Sequence, residues 1–241
     1  MLDIIRKYGM LLLVGPWPHG PLGGIVATLI LAALGLALSF PVALLLGLAR
    51  TSSWRWLRWP ASAWVHGLRG IPLVMIIFWA YYLLPLLIGD TISPFATALC
   101  AIVCYEAAFM AEIVRAGIQG LPAGQAEAAR AAGLTYAQAM VHVILPQALV
   151  NMLPSIVNQF ISTIKATSIV YIIGVQEATF AAQEINSVEM THALQTYLLL
   201  ACIYFLLCYG LSFAAAAVER HFRLRQAAGA AASAAVAASA S

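Results

Sequence analysis

Four ionisable side chains stand in or against stretches that are otherwise uncharged: Arg69, Glu106, Glu112 and Lys165. A charge among apolar residues is costly in hydrocarbon, so each one points to a task. Glu112 and Arg115 have the i, i+3 spacing of a structural pair on one helix face. Arg69 precedes Gly70-Ile71-Pro72 at the start of an apolar run, where its long stem can reach a membrane surface. Glu106 sits deeper, and Lys165 follows Asn158, Gln159, Ser162 and Thr163 on the preceding turns. Glu106, Asn158, Gln159, Thr163 and Lys165 together offer donors, acceptors and both signs of charge to a polar solute crossing a bilayer. Glu106 and Lys165 can instead pair with each other, or act as glue between helices.

Other chemistry is not supported. His66, His142 and His192 lie at or near the edges of apolar runs, without metal-ligand spacing or a serine nucleophile elbow. No Gly-x4-Gly-Lys-Ser/Thr loop occurs, so the chain has no phosphate-cradling motif of that kind. Cys100, Cys104, Cys202 and Cys208 all fall inside apolar runs and read as buried packing, not as a metal site.

The elements that position these groups follow from composition. The 241 residues are 63% hydrophobic and 9% charged, against about 25% charged in soluble domains, and the mean hydropathy is +0.93. A formal charge of +3 gives no case for nucleic acid. The chain reads as an all-α integral membrane protein. A span needs about 20 mainly apolar residues. Five such runs are present: 20–49 (with Pro41 as a kink), 71–89, 91–114, 143–173 and 193–218.

Arg50, Arg55 and Arg58 lie between the first two runs, Arg115 and Arg130 between the third and fourth, and Arg220, Arg223 and Arg225 after the fifth. The opposite loops carry Asp90, Glu177, Glu184 and Glu189 and no Lys or Arg. The positive-inside rule therefore places the 50–58 loop, the 115–142 loop and the C-terminus in the cytoplasm and the N-terminus outside. Arg6 and Lys7 dissent. Residues 1–19 form an N-terminal periplasmic or interfacial segment, 20–220 the transmembrane domain, and 221–241 an Ala-rich cytoplasmic tail, expected to be frayed and without function. No internal repeat is visible, which disfavours a self-contained secondary transporter.

Between the third and fourth spans the chain carries a polar insert, EAARAAGLTYAQAMVHVILP, over 127–146. Gln125 to Ala132 is rich in helix formers, with Pro122 near its start and Gly133 as its stop. Thr135 can cap a second piece from Tyr136 to about Ile144, and Pro146 lies where the chain turns into the fourth span. Glu127 and Arg130 can pair with each other or with a partner. The insert reads either as an amphipathic connector resting on the membrane or as a coupling element docked in a soluble partner's groove.

Glu127-Ala128-Ala129, then Gly133, then Val143-Ile144-Leu145-Pro146 resembles the EAA loop of ABC importer permeases, with Val143 in place of the usual Ile. The runs Tyr105-Glu106-Ala107-Ala108-Phe109 and Ala111 to Gln119 are similar to the polar amino acid permeases. So are Asn158-Gln159-Phe160 and Thr167-Ser168-Ile169-Val170. The resemblance covers about 24–220 and implies a type I ABC importer (MetI-like) permease fold. It implies Glu127, Ala128, Ala129, Gly133, Leu145 and Pro146 as contacts of a cytoplasmic ATPase dimer, within a coupling loop of 119–146. It further implies a second permease, identical or homologous, a periplasmic amino-acid-binding protein, and a bacterial inner membrane location. ATP and Mg would be bound by the partner, leaving this chain without cofactor or enzymatic activity of its own. The stretch from Arg69 to Tyr82 resembles the glutamate/aspartate branch, and Lys165 would suit an anionic side chain, whereas Ala166 stands where relatives often have an acidic residue. Glutamate or aspartate is the first expectation. Glutamine, histidine or a basic amino acid are the alternatives, and an ion channel or proton-coupled carrier is the rival class.

Overall fold

The computed structural model describes the backbone of residues 2–239 and the side chains of residues 3–217. Ten α-helices follow in chain order among the described residues: α1 (Leu2–Val14), α2 (Gly24–Thr51), α3 (Arg55–Gly70), α4 (Leu73–Ile88), α5 (Pro94–Gln119), α6 (Ala123–Ala131), α7 (Tyr136–Ala139), α8 (Leu145–Ala166), α9 (Ala178–Val188) and α10 (Ala193–Ser239). A π-helical turn, Met140–Ile144, joins α7 to α8, and a 3-10 segment, Thr167–Ile173, extends α8.

Four of these stretches are long and apolar enough to cross a membrane: Gly24–Thr51, Pro94–Gln119, Tyr136–Ile173 and Met190–Ala217. A fifth span arises only if α3 and α4, bent by 105° at the short break between them, are taken together. Pro72 sits at that break in an extended conformation, where a helix cannot run on because the preceding residue is pushed out of the α region. Four of the five expected spans are therefore found as such, and the expected run 71–89 is the 16-residue α4, which counts as a span only together with α3. Arg55 and Arg58 belong to a helix, α3, and not to a loop.

The core is built on α2 against α5. A Cβ added to Gly35 would lie 2.6 Å from Ile102, and one on Gly47 would lie 2.5 Å from Val114. Small residues at these points let the backbones approach, the usual basis of helix association in lipid. Leu31, Ile77, Ile102 and Val170 fill the centre between α2, α4, α5 and the 3-10 segment. A second cluster joins Ile4 and Leu12 of α1 to Ile185 of α9 and Leu199 and Leu200 of α10. The N-terminal segment is thus a helix clasped to α9 and α10. Lys7 Nζ lies 2.6 Å from Glu189 Oε1, so one of the two dissenting cations is neutralised in place.

The cysteines correct the sequence reading. Cys100, Cys104 and Cys202 are exposed and Cys208 is only half-buried. An apolar residue on a spanning helix can face lipid or a second subunit as readily as a core, so apolar surroundings in sequence do not imply burial here.

Candidate transport pathway and docking face

The fourth span carries a polar stripe. Asn151, Ser155, Asn158, Ser162 and Lys165 recur along α8 at spacings of three and four residues, and all five are exposed. That spacing places them on one helix face. Lipid would be a poor neighbour for such a face: a central lysine alone costs about 2.5–3.5 kcal/mol by insertion scales. The stripe therefore requires polar surroundings. At its lower end, Asn151 and Ser155 join Glu112, Gly117 and Gly120 around a cavity of about 410 Å³.

Of the predicted pathway residues, Asn158 and Lys165 lie on this stripe, while Glu106, Gln159 and Thr163 do not. Glu106 is 1% exposed, and its Oε2 accepts a 2.7 Å bond from Gln159 Nε2. Thr163 is buried and donates to the Gln159 carbonyl at 2.9 Å. These three form an interior network between α5 and α8. The alternative pairing of Glu106 with Lys165 is not what the structure shows: the partner of Glu106 is Gln159, and Lys165 enters no ion pair among the described residues. The reason is angular. Gln159 lies four residues from the buried Thr163 and shares its inward face, whereas Lys165 points away from it.

The pair Glu112–Arg115 is present, but it is part of a larger cluster. Arg50 of α2 and Arg115 both bond to Glu112, and Arg69 Nη1 stands 3.8 Å from Glu112 Oε2. Arg69, expected to reach the surface on its own, also lies 5.2 Å over the Phe109 ring. One carboxylate thus ties α2, α3 and α5 at this end of the bundle. Sequence reasoning missed the Arg50 and Arg69 contacts because they join positions far apart in the chain.

A second polar node was also missed. Glu177 is fully buried at the N-cap of α9. Its Oε1 accepts from the N–H groups of Thr179 and Phe180 at 2.9 and 3.0 Å. Its Oε2 accepts from Thr28 Oγ1 at 3.3 Å and from Tyr204 OH at 3.0 Å. Burial pushes its carboxyl up to about 7, against the opposing pull of the Thr179 and Phe180 N–H groups and the Tyr204 hydroxyl. An acidic residue directly before a helix with no other cap was the available signal.

The insert is ordered by local rules. Gly133 takes φ +85°. Gly133 N–H donates to the Arg130 carbonyl at 3.0 Å and Leu134 N–H to the Ala129 carbonyl at 3.2 Å, the Schellman pattern that ends α6. Thr135 and Gln138 form a reciprocal capping box at the start of α7. Glu127, Ala128, Gly133 and Pro146 are exposed, Leu145 is half-buried, and Ala129 is buried beneath the others. Neither Glu127 nor Arg130 enters an ion pair among the described residues.

Pro146 does not turn the chain. It lacks the N–H that would bond back to residue 142, and it is accommodated in the first turn of α8. The preceding turn is π-helical, with Leu145 N–H bonded to the Met140 carbonyl. The path from Tyr136 to Ile173 is consequently one 38-residue stretch. The Gln147 amide clips it to α6 through Gln125 Oε1 at 3.3 Å.

Against this geometry, the sequence profile of the family described as binding-protein-dependent transport system inner membrane component matches residues 39–224. A probable glutamine ABC transporter permease protein of Bacillus subtilis (strain 168) is 36% identical over 220 residues, covering 90% of this chain and 98% of that protein. An L-cystine transport system permease protein of the same organism is 38% identical over 198 residues, covering 82% and 84%. A crystal structure of an amino acid ABC transporter with histidines superposes with a TM-score of 0.78 at 32% identity, covering 91% of this chain and 97% of that one.

Proposed function

The chain belongs to the family of binding-protein-dependent transport system inner membrane components, and on that premise we propose that it is the permease subunit of an ATP-binding cassette importer for a polar amino acid. The observation that carries the pathway is the exposed polar stripe on α8. Asn151, Ser155, Asn158, Ser162 and Lys165 are the wall of a passage whose other wall is a second permease, identical or homologous. Glu106, Gln159 and Thr163 hold α5 to α8 behind that wall and do not themselves touch the solute.

The insert is the docking face for a cytoplasmic ATPase. Glu127, Ala128, Gly133, Leu145 and Pro146 form its contact surface, and Ala129 lets α6 sit close on the helix beneath. The continuous stretch from Tyr136 to Ile173 supplies the lever. Closure of the ATPase dimer on ATP moves the two inserts together, the fourth spans tilt with them, and the passage opens outward; hydrolysis reverses the motion. ATP and Mg belong to the ATPase, and an amino-acid-binding protein delivers the solute. The arginine bias of the loops supports an N-terminus outside the inner membrane and a cytoplasmic insert.

Lys165, the only charge on the stripe, favours a substrate with an anionic side chain, glutamate or aspartate. Glutamine is supported by the similarity of this chain to a probable glutamine permease along 90% of its length.

The test is accessibility. In a cysteine-free chain assembled with its partners, Ser162→Cys should react with a membrane-impermeant maleimide and be protected by transported amino acid. A Cys at Leu206, on the exposed apolar face of α10, should not react. Absence of reaction at Ser162→Cys in a complex that still transports would remove the stripe from the pathway.

A further inference from the structure

Helix α3 has a composition unlike any other in the chain. In RWLRWPASAWVHGLRG, Arg55, Arg58 and Arg69 are the charged residues, and no Asp or Glu occurs anywhere between Asp3 and Asp90. Trp56, Trp59 and Trp64 are 93%, 65% and 52% exposed, and Trp54 just ahead of the helix is 76% exposed. The bend of 105° to α4 means that if α4 crosses the bilayer, α3 lies nearly in its plane. Tryptophans with arginines on an in-plane helix are the signature of an interfacial element.

Between α3, the end of α2 and the insert runs an open apolar groove of about 770 Å³. Leu45 and Ala49 form one side, Leu57 and Trp64 another, and Met140 and Val141 the third. Ser52 and Tyr136 alone among its lining residues carry a hydroxyl. Arg58 flanks the groove-lining face of α3 formed by Leu57, Pro60, Ala61 and Trp64, and Arg55 opens the helix two residues before Leu57. Both are exposed, neither lines the groove, and neither enters an ion pair among the described residues. The local charge is therefore positive and uncompensated, and the space beside it is hydrocarbon-like.

We infer that this groove holds an acyl chain of an anionic phospholipid from the bilayer, whose phosphate is met by Arg55 and Arg58. Charge complementarity selects the anionic headgroup, since the groove and α3 contribute no carboxylate of their own. The apolar lining selects a chain and excludes a polar peptide. Because Met140 and Val141 belong to the π-helical turn between the docking face and the fourth span, the lipid sits against the hinge of the proposed lever. The placement depends on the chain being a membrane protein but not on what it transports.

A full-length chain retaining Trp64 as its single tryptophan, the other five replaced by Phe, provides the direct test. It is reconstituted in zwitterionic vesicles in which brominated lipid with either an anionic or a zwitterionic headgroup is titrated over the same range of mole fraction. Quenching of Trp64 should half-saturate at an anionic fraction lower by on the order of tenfold, as expected for two guanidiniums facing an anionic headgroup. R55Q/R58Q should abolish that difference, and R55K/R58K should keep it. Equal quenching by both lipids overturns the proposal, as does protection of Trp64 once the ATPase is bound, which would assign the groove to that protein. A second reading uses the native chain: phospholipid retained through detergent exchange should be enriched in anionic headgroups over the bulk, and R55Q/R58Q should lose the enrichment. Retained lipid that matches the bulk composition contradicts the proposal independently of any tryptophan replacement.

Discussion

Glu106 shows how a buried charge can be structural. Its bond with Gln159 satisfies an acceptor that would otherwise be orphaned in hydrocarbon, and a lost partner there costs about 1–3 kcal/mol. Glu106→Gln should keep a bond to Gln159 and leave uptake within a few-fold of the parent. Glu106→Leu should lower the thermal midpoint of the purified chain. A midpoint unchanged by Glu106→Leu would deny the network its role. Lys165, on the stripe, behaves differently: Lys165→Gln should raise the KM for an anionic amino acid and leave that for a neutral one unchanged, measured by labelled uptake. Glu177 makes a pH prediction. Its carboxyl is raised from 4.5 to about 7 by burial, so the native state holds a proton that the unfolded chain releases. Its contribution is full below about pH 4.5 and declines as pH rises through about 7, by at most about 3 kcal/mol. Glu177→Gln should flatten the thermal midpoint across that window. At this scale the sequence was legible where partners are local. Glu112 and Arg115 are three residues apart and were readable as a pair, whereas Glu106 and Gln159 are separated by 53 positions and only the packing of α5 on α8 brings them together.

Among the elements, the insert was the most legible, because caps are local chemistry. Gly133 as a stop and Thr135 as a start both take those roles. A Cβ at Gly133 would meet nothing within 4 Å, so only its positive φ restricts the residue. Gly133→Asn, which tolerates that region, should preserve transport. Gly133→Val should cost about 1–2 kcal/mol locally and reduce ATP-driven uptake while membrane insertion is retained. Equal activity of the two variants would show that the turn does not matter to coupling. What the sequence concealed was continuity. Pro146 reads as a break, yet a single π-helical turn carries the helix through it, and that turn depends on a carbonyl-by-carbonyl accommodation no residue pattern announces. Helix α3 was concealed for another reason: its arginines made it look like a loop, and its amphipathic face becomes visible only with the 105° bend beside it.

For the whole molecule, apolar runs were enough to read a helical membrane protein, because the bilayer leaves few alternatives to a spanning helix. They were not enough to separate faces turned to lipid from those turned to a partner, which is why Cys100, Cys104 and Cys202 were expected in the core and stand outside it. On the proposed function the single chain presents one polar wall and one docking face, and both need a complement. If two copies or homologues face each other across the stripe, Asn158→Cys should form an intermolecular disulfide with its counterpart in the assembled complex and block uptake reversibly. Cross-linking without loss of uptake would place the stripe elsewhere than in the passage. The most direct measurement is uptake by proteoliposomes containing this chain, its ATPase and its binding protein, across a panel of labelled amino acids. A polar amino acid should accumulate only with ATP and the ATPase present, and should go on accumulating when the proton gradient is collapsed. Accumulation driven by a proton gradient with no ATPase present would contradict the proposed function.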